Sequence, residues 1–129
     1  MEKLKILIID DEADFCKLIK MNLEATSDFK VDCAINGKDG IKLAKKIKPS
    51  LILLDIKMPD IDGFEVLKVL REDLKTISLP VVMLSALGDD TSKIKASGLY
   101  DDEYITKPIE TPVLINKIKE VLKRRQGQQ

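Results

Sequence analysis

Apolar and polar residues follow two rhythms along this chain. Short apolar runs, Leu4 to Ile9, Val31 to Ala34, Leu51 to Leu54, Pro80 to Leu84 and, more weakly, Tyr104 to Thr106, read as strands. Leu4-Lys5-Ile6-Leu7-Ile8-Ile9, Leu51-Ile52-Leu53-Leu54 and Val81-Val82-Met83-Leu84 are almost unbroken in apolar residues, as in parallel strands covered on both faces. Between the runs the spacing lengthens to that of amphipathic helices. Phe15, Leu18, Ile19 and Leu23 form one such set, Ile41, Leu43, Ala44 and Ile47 a second, and Phe64, Val66, Leu67 and Leu70 a third.

The last helix has the clearest boundary signals: Thr111 as N-cap, Pro112 at the first helical position, then Leu114, Ile115, Ile118, Val121 and Leu122 on one face. Past Lys123 the chain turns polar and reads as a frayed end, which places the domain at residues 1–125 and a tail at 126–129. Five strands alternating with five helices predict an α/β fold, a parallel sheet with right-handed crossovers and helices on both faces. The 129 residues suffice for one such domain.

Composition narrows the chemistry. Lys plus Arg (22) equal Asp plus Glu (22), so no global basic field draws the chain to nucleic acid or anionic lipid. Histidine is absent, which removes imidazole bases, Ser-His-Asp and Cys-His arrangements and His-ligated metals. Cys16 and Cys33 are widely separated with no CxxC, the usage of a reduced, cytoplasmic chain with small buried thiols. The apolar stretch after Met1 is cut short by Asp10 and Asp11, too early for a signal peptide, and no run is long enough to insert in a membrane.

In parallel sheets ligands gather at the carboxyl ends of the strands. Here the five ends lead into Asp10-Asp11, Ile35-Asn36-Gly37, Asp55, Ser85 and Lys107. Asp10, Asp11 and Asp55 converge if the first and third strands are neighbours, and carboxylates so crowded raise at least one pKa unless a cation intervenes. Mg²⁺ suits one to three carboxylates and leaves positions for phosphate oxygens. An aspartate beside it can act as a nucleophile toward a phosphoryl donor, with Lys107, the Ser85 hydroxyl and the Ala86 backbone N–H facing the transferred oxygens. Taken singly, Asp10 or Asp11 also reads as a helix cap, Ser85 as a strand-end cap and Lys107 as a solvated lysine.

The chain resembles the receiver domains of two-component response regulators. The residues that carry the resemblance are Ile8-Ile9-Asp10-Asp11-Glu12, Leu53-Leu54-Asp55-Ile56-Lys57-Met58-Pro59-Asp60-Ile61-Asp62-Gly63, Met83-Leu84-Ser85-Ala86 and Tyr104-Ile105-Thr106-Lys107-Pro108, in order and over essentially the whole chain. The resemblance implies a flavodoxin-like doubly wound sheet of strand order 2-1-3-4-5. It implies that Asp55 accepts the phosphoryl group and that Asp11, Asp55 and the backbone carbonyl of Lys57 bind Mg²⁺, with Asp10 acting through water. It further implies that Lys107 pairs with the phosphoryl group, that Ser85 swings toward it and that Tyr104 changes rotamer as Ser85 moves. The donor is then a histidine kinase or histidine phosphotransfer protein, and the output a downstream protein, with a phosphorylation-dependent dimer as one form of the response. No direct nucleic-acid contact and no enzymatic turnover are expected beyond limited self-phosphorylation and dephosphorylation.

Three departures stand out. Gly98-Leu99-Tyr100-Asp101-Asp102-Glu103 replaces the usual Gly-Ala-Asp-Asp before Tyr104, which predicts that a helix beginning near Thr91 ends early and leaves Tyr100 near the output face. Ile109 takes a position often aromatic, and Lys57 is placed to lie over the phosphoryl group. Three other functions compete: a Mg²⁺-dependent aspartate-nucleophile phosphohydrolase, which lacks its second Asp because Lys57 stands there; a nucleotide or flavin binder, which lacks GxGxxG and GxxxxGK[ST]; and a phosphorylation-independent receiver-like interaction domain.

Overall fold

The computed structural model describes residues 2–86 and 103–127. Its strands are β1 (Leu4–Ile9), β2 (Phe29–Ala34), β3 (Leu51–Asp55), β4 (Val81–Ser85) and β5 (Glu103–Thr106), and its helices α1 (Ala13–Glu24), α2 (Gly37–Ile47), α3 (Gly63–Glu72) and α4 (Thr111–Gln126). All strand pairs are parallel and the sheet order is β2-β1-β3-β4-β5. Four helices rather than five are found among the described residues. The helix expected from near Thr91, with Gly98 and Tyr100, lies outside them.

The near-continuous apolar runs are resolved by the two-residue period of a strand. Ile6 and Ile8 of β1 face α1 and α4, where they meet Cys16, Ile19, Leu23, Leu114 and Ile118. Leu7 and Ile9 face α2 and α3, against Ala44, Val66, Leu67 and Leu70. Burial contributes ~1.5–3 kcal/mol per large apolar side chain, so β1, β3 and β4, apolar on both sides, anchor the sheet. The edge strand β5 buries only Ile105 fully.

Helix boundaries follow local chemistry. Asn36 caps α2 by accepting from the Asp39 N–H at 2.8 Å, and Asp62 caps α3 by accepting from the Glu65 N–H at 2.9 Å. α2 stops at Lys48, whose φ of 46° is left-handed, and Pro49 prevents continuation. Gly40 lets α2 lie close on β1, since a Cβ there would sit 2.6 Å from Ile9 Cδ1.

Three sequence expectations are corrected. Thr111 is the first helical residue and not the N-cap; extended Glu110 holds that position, Pro112 follows at the second, and the Thr111 hydroxyl instead accepts from Asn22 Nδ2 at 3.0 Å, tying α4 to α1. α4 does not fray after Lys123 but runs to Gln126, helped by Arg124 at 3.8 Å from Glu103 and Arg125 donating to the Leu79 carbonyl at 3.3 Å. Leu18 is not in the buried face of α1: it is 54% exposed, because Cys16, Ile19 and Leu23 fill the contact with the sheet.

Candidate functional site

β1 and β3 lie side by side at the point where the strand order reverses, so the chain segments leaving their carboxyl ends open a crevice. Asp10 follows β1 and is fully buried, Asp55 ends β3 and is 7% exposed, and Asp11 is exposed. One carboxylate oxygen from each lies within 4.8 Å of the others.

Lys107, just past β5, reaches across this cluster. Its Nζ stands 2.7 Å from Asp10 Oδ2, 3.0 Å from Glu12 Oε1 and 3.7 Å from Asp55 Oδ1, and it lies 4.3 Å from the centre of the Phe15 ring. The Lys107 N–H donates to the Ser85 carbonyl at 2.7 Å, so the end of β4 fixes where the lysine begins. The other Asp10 oxygen accepts from the Glu12 N–H at 2.9 Å, a turn that carries the chain into α1.

These contacts set the ionisation of the site. Burial, and then the neighbouring Asp10 carboxylate, push the Asp55 pKa up to about 7 against partial relief from Lys107. Burial alone would lower Lys107, but its hydrogen bonds to Asp10 and Glu12 outweigh it and hold the ammonium above its ordinary range. Asp55 is therefore a carboxyl poised near neutrality, whose charged form calls for more positive charge than one shared lysine provides.

The loop from β3 to α3 is clamped on both sides. The Asp60 carboxylate accepts from the Gly37 and Lys38 N–H groups, both at 3.0 Å, fastening the loop to the start of α2. At the other end the Gly63 N–H donates to the Ile56 carbonyl at 2.7 Å. A Cβ on Gly63 would collide with the Asp55 carbonyl oxygen, so glycine permits this approach.

Asp10, Asp11, Asp55 and Lys107 are thus brought together. Ser85 is buried at the end of β4, its hydroxyl 3.3 Å from that of Thr106, and Ala86 follows on the surface. Lys57 is exposed on the clamped loop two positions after Asp55. Tyr104 stands apart from the carboxylates: it pairs in register with Met83 and packs, half-buried, on the α2 and α3 side of the sheet.

Several participants escaped sequence reasoning. Glu12 as a partner of Lys107, Phe15 beneath its ammonium, Thr106 beside Ser85 and Asp60 as the clamp all depend on contacts between distant segments. Only the pairing of Ser85 with Thr106 had a sequence signal, since both end adjacent strands.

The site fits a hard divalent cation. Asp10, Asp11 and Asp55 offer hard carboxylate oxygens, Asp11 faces solvent, and the Asp10 carboxylate adds to burial in holding the Asp55 pKa up. Softer metals have no Cys or His here to take.

A family profile described as response regulator receiver domain matches residues 6–119. The DNA-binding dual master transcriptional regulator RpaA of Synechocystis sp. is 38% identical over 93% of this chain and 49% of its own. The phosphate regulon transcriptional regulatory protein PhoB of Rhizobium meliloti is 34% identical over 93% and 52%. The chain thus spans about half the length of these curated relatives. Among solved structures, the receiver domain of the Francisella response regulator 1452 matches with a TM-score of 0.82 and 32% identity, over 95% of this chain and 98% of the other.

Proposed function

From the premise that the chain belongs to the response regulator receiver domain family, we propose that Asp55 is its phosphoacceptor, charged by a partner phosphohistidine and switching the surface beyond β4 and β5. The observation that supports this most directly is the meeting of Asp55 with Asp10, Asp11 and Lys107 at the carboxyl ends of β1, β3 and β5. In the transfer, an Asp55 carboxylate oxygen bonds to phosphorus as the P–N bond to the donor histidine breaks, and the bonding pair leaves with the imidazole nitrogen.

Asp10, Asp11, Asp55 and the Lys57 carbonyl would hold Mg²⁺. Bound there, the ion supplies charge neutralisation for the transferring phosphoryl oxygens. Lys107, already 3.7 Å from Asp55, offers its ammonium to the same oxygens, and the Ser85 hydroxyl and Ala86 N–H complete the cradle. Phosphorylation adds about −1.5 to −2 charge. It draws Lys107 away from Glu12 and turns the Ser85 hydroxyl from Thr106 toward the phosphoryl group. The departure of Ser85 leaves space on β4 for Tyr104, and the altered face is what a downstream protein, or a second copy in a phosphorylation-dependent dimer, recognises.

The donor protein has a place to approach. A surface cavity of about 300 Å³ lies between Phe15, Leu18 and Asn22 of α1 and Ala86, Pro108 and Ile109, with Lys107 at its inner wall. Leu18 (54% exposed) and Met21 (68%) extend the apolar face beside it.

Intact-mass analysis with Mg²⁺ and acetyl phosphate tests the assignment. One phosphoryl group on the chain and none on Asp55→Asn is the expected result. Equal uptake by both moves the site elsewhere, no uptake by either removes the phosphoacceptor role, and sustained turnover of small phosphate monoesters makes the chain a phosphohydrolase.

A further inference from the structure

Two thiols lie behind the acid site and are linked to it in series. Cys16 of α1, 2% exposed, donates its thiol to the main-chain carbonyl of Asp10 at 3.5 Å. Cys33 of β2, half-buried, donates its thiol to the main-chain carbonyl of Cys16 at 3.7 Å. The Cys16 side chain beside it, and then the Lys20 ammonium, pull Cys33 below its ordinary pKa against burial and the Asp32 and Glu24 carboxylates. Lys20 is held nearby, donating to the Val31 carbonyl at 2.7 Å. The Cys33 side chain packs, partly buried, on the α1 side of edge strand β2, against the cluster that holds Cys16. Half-buried Cys33 is thus the more accessible thiol and Cys16 the sheltered one behind it.

We propose that Cys33 and Cys16 form an oxidisable dithiol that takes a hydroperoxide as its substrate class and closes into an intramolecular disulfide between β2 and α1. The Cys33 thiolate attacks one oxygen of the hydroperoxide; an S–O bond forms, the O–O bond breaks, and the released alkoxide or hydroxide takes a proton from water. Cys16 then attacks the sulfur of the Cys33 sulfenic acid. The S–S bond forms, the S–O bond breaks, and the departing hydroxide leaves as water with the Cys16 proton. Sulfur gives up two electrons in all and the peroxide oxygen gains them.

Closure has a consequence at the acid site. A disulfide sulfur carries no proton, so the Asp10 carbonyl loses the donor that Cys16 supplies at the end of β1. The consequence, though not the disulfide, rests on reading Asp10 as part of the Mg²⁺ and phosphoryl site.

Peptide mapping under non-reducing conditions after treatment with hydrogen peroxide tests the dithiol without reference to phosphorylation. The expected result is a Cys16–Cys33 cross-linked peptide in the monomer, an intact mass lowered by two hydrogens, and reversal by a thiol reductant. Cys16→Ser, or Cys16→Ala should the serine not fold, is expected to leave Cys33 trapped by dimedone as a sulfenic acid; Cys33→Ser is expected to leave Cys16 unmodified. Accumulation of Cys33 sulfenic or sulfinic acid in the unaltered chain with Cys16 still a free thiol would overturn the proposal, as would disulfides found only between chains. Mg²⁺ affinity measured on the oxidised and reduced monomers then reads the link to Asp10: a weaker oxidised site is expected, and equal affinity overturns the link while leaving the dithiol intact.

Discussion

Lys107 Nζ sits 2.7 Å from Asp10 and 3.7 Å from Asp55, so in this state the lysine belongs first to the carboxylate beside the proposed acceptor. Its side chain is only 14% exposed and that of Asp10 is fully buried. The pair therefore balances a desolvation cost that neither charge could bear alone. Replacing Lys107 by Met should lower unfolding free energy at pH 8 by roughly 2–4 kcal/mol in Mg²⁺-free buffer. Urea denaturation checks this, and a loss below about 0.5 kcal/mol, the size of an exposed pair, would mean that Asp10 is already compensated.

Asp55 carries a pH signature of its own. Its folded pKa is about 7 against an ordinary 3.8, so the native state binds more protons than the unfolded chain between those values. Stability is then greatest below pH 4 as far as this group is concerned and is lost as pH rises toward 7, by on the order of 3–4 kcal/mol. The chain holds no histidine to add an imidazole titration in that range. Asp55→Asn should raise the Mg²⁺-free thermal midpoint at pH 8 and flatten its decline between pH 5 and 7. An unchanged decline in the variant would assign the titration to another group.

Gly63→Ala should destabilise the fold by ~1–3 kcal/mol, because the added methyl meets the backbone at Asp55 and Ile56 and not a side chain that can turn away. The same shift displaces the loop bearing Lys57. Mg²⁺ titration of the folded variant should therefore show weaker binding than Gly63 gives. Wild-type affinity with reduced stability would confine the effect to packing.

Mg²⁺ should raise the midpoint of thermal unfolding above pH 7, since it binds the clustered carboxylates and not the dispersed ones of the unfolded chain. At a hundred times Kd the gain is about 2.7 kcal/mol. Asp11→Asn should shrink the shift. A midpoint insensitive to millimolar-scale Mg²⁺ would argue against the cation site.

The sheet was readable because its strands are written almost wholly in apolar residues; β1 spans Leu4–Ile9 as its sequence pattern predicts. The strand ends were readable for the same reason, since the first polar residue after each run marks the crevice. Leu18 shows where periodicity fails: it satisfies the helical spacing, yet only the width of the contact with the sheet decides that Cys16, Ile19 and Leu23 fill it. Thr111 fits the N-cap preference, but its hydroxyl is taken by Asn22, 89 positions away. The same separation in sequence hides Glu12 from Lys107, 95 positions apart. Residue type and local spacing pick out Asp10, Asp11, Asp55 and Lys107, and the sharing of the Lys107 ammonium with Glu12 emerges only when the chain is folded.

That sharing has a consequence for signal fidelity. Asp10, Glu12 and Asp55 share the Lys107 ammonium, with Asp11 beside Asp10 and Asp55, so an approaching phosphoryl dianion meets more carboxylate than ammonium charge in this cluster. Without a cation, that charge opposes the approach of free phosphate and phosphate esters. On the proposed reading, a small donor such as acetyl phosphate reaches Asp55 only once a cation has offset this repulsion, and a partner that docks gains over it by holding its phosphoryl group in place against the same charge.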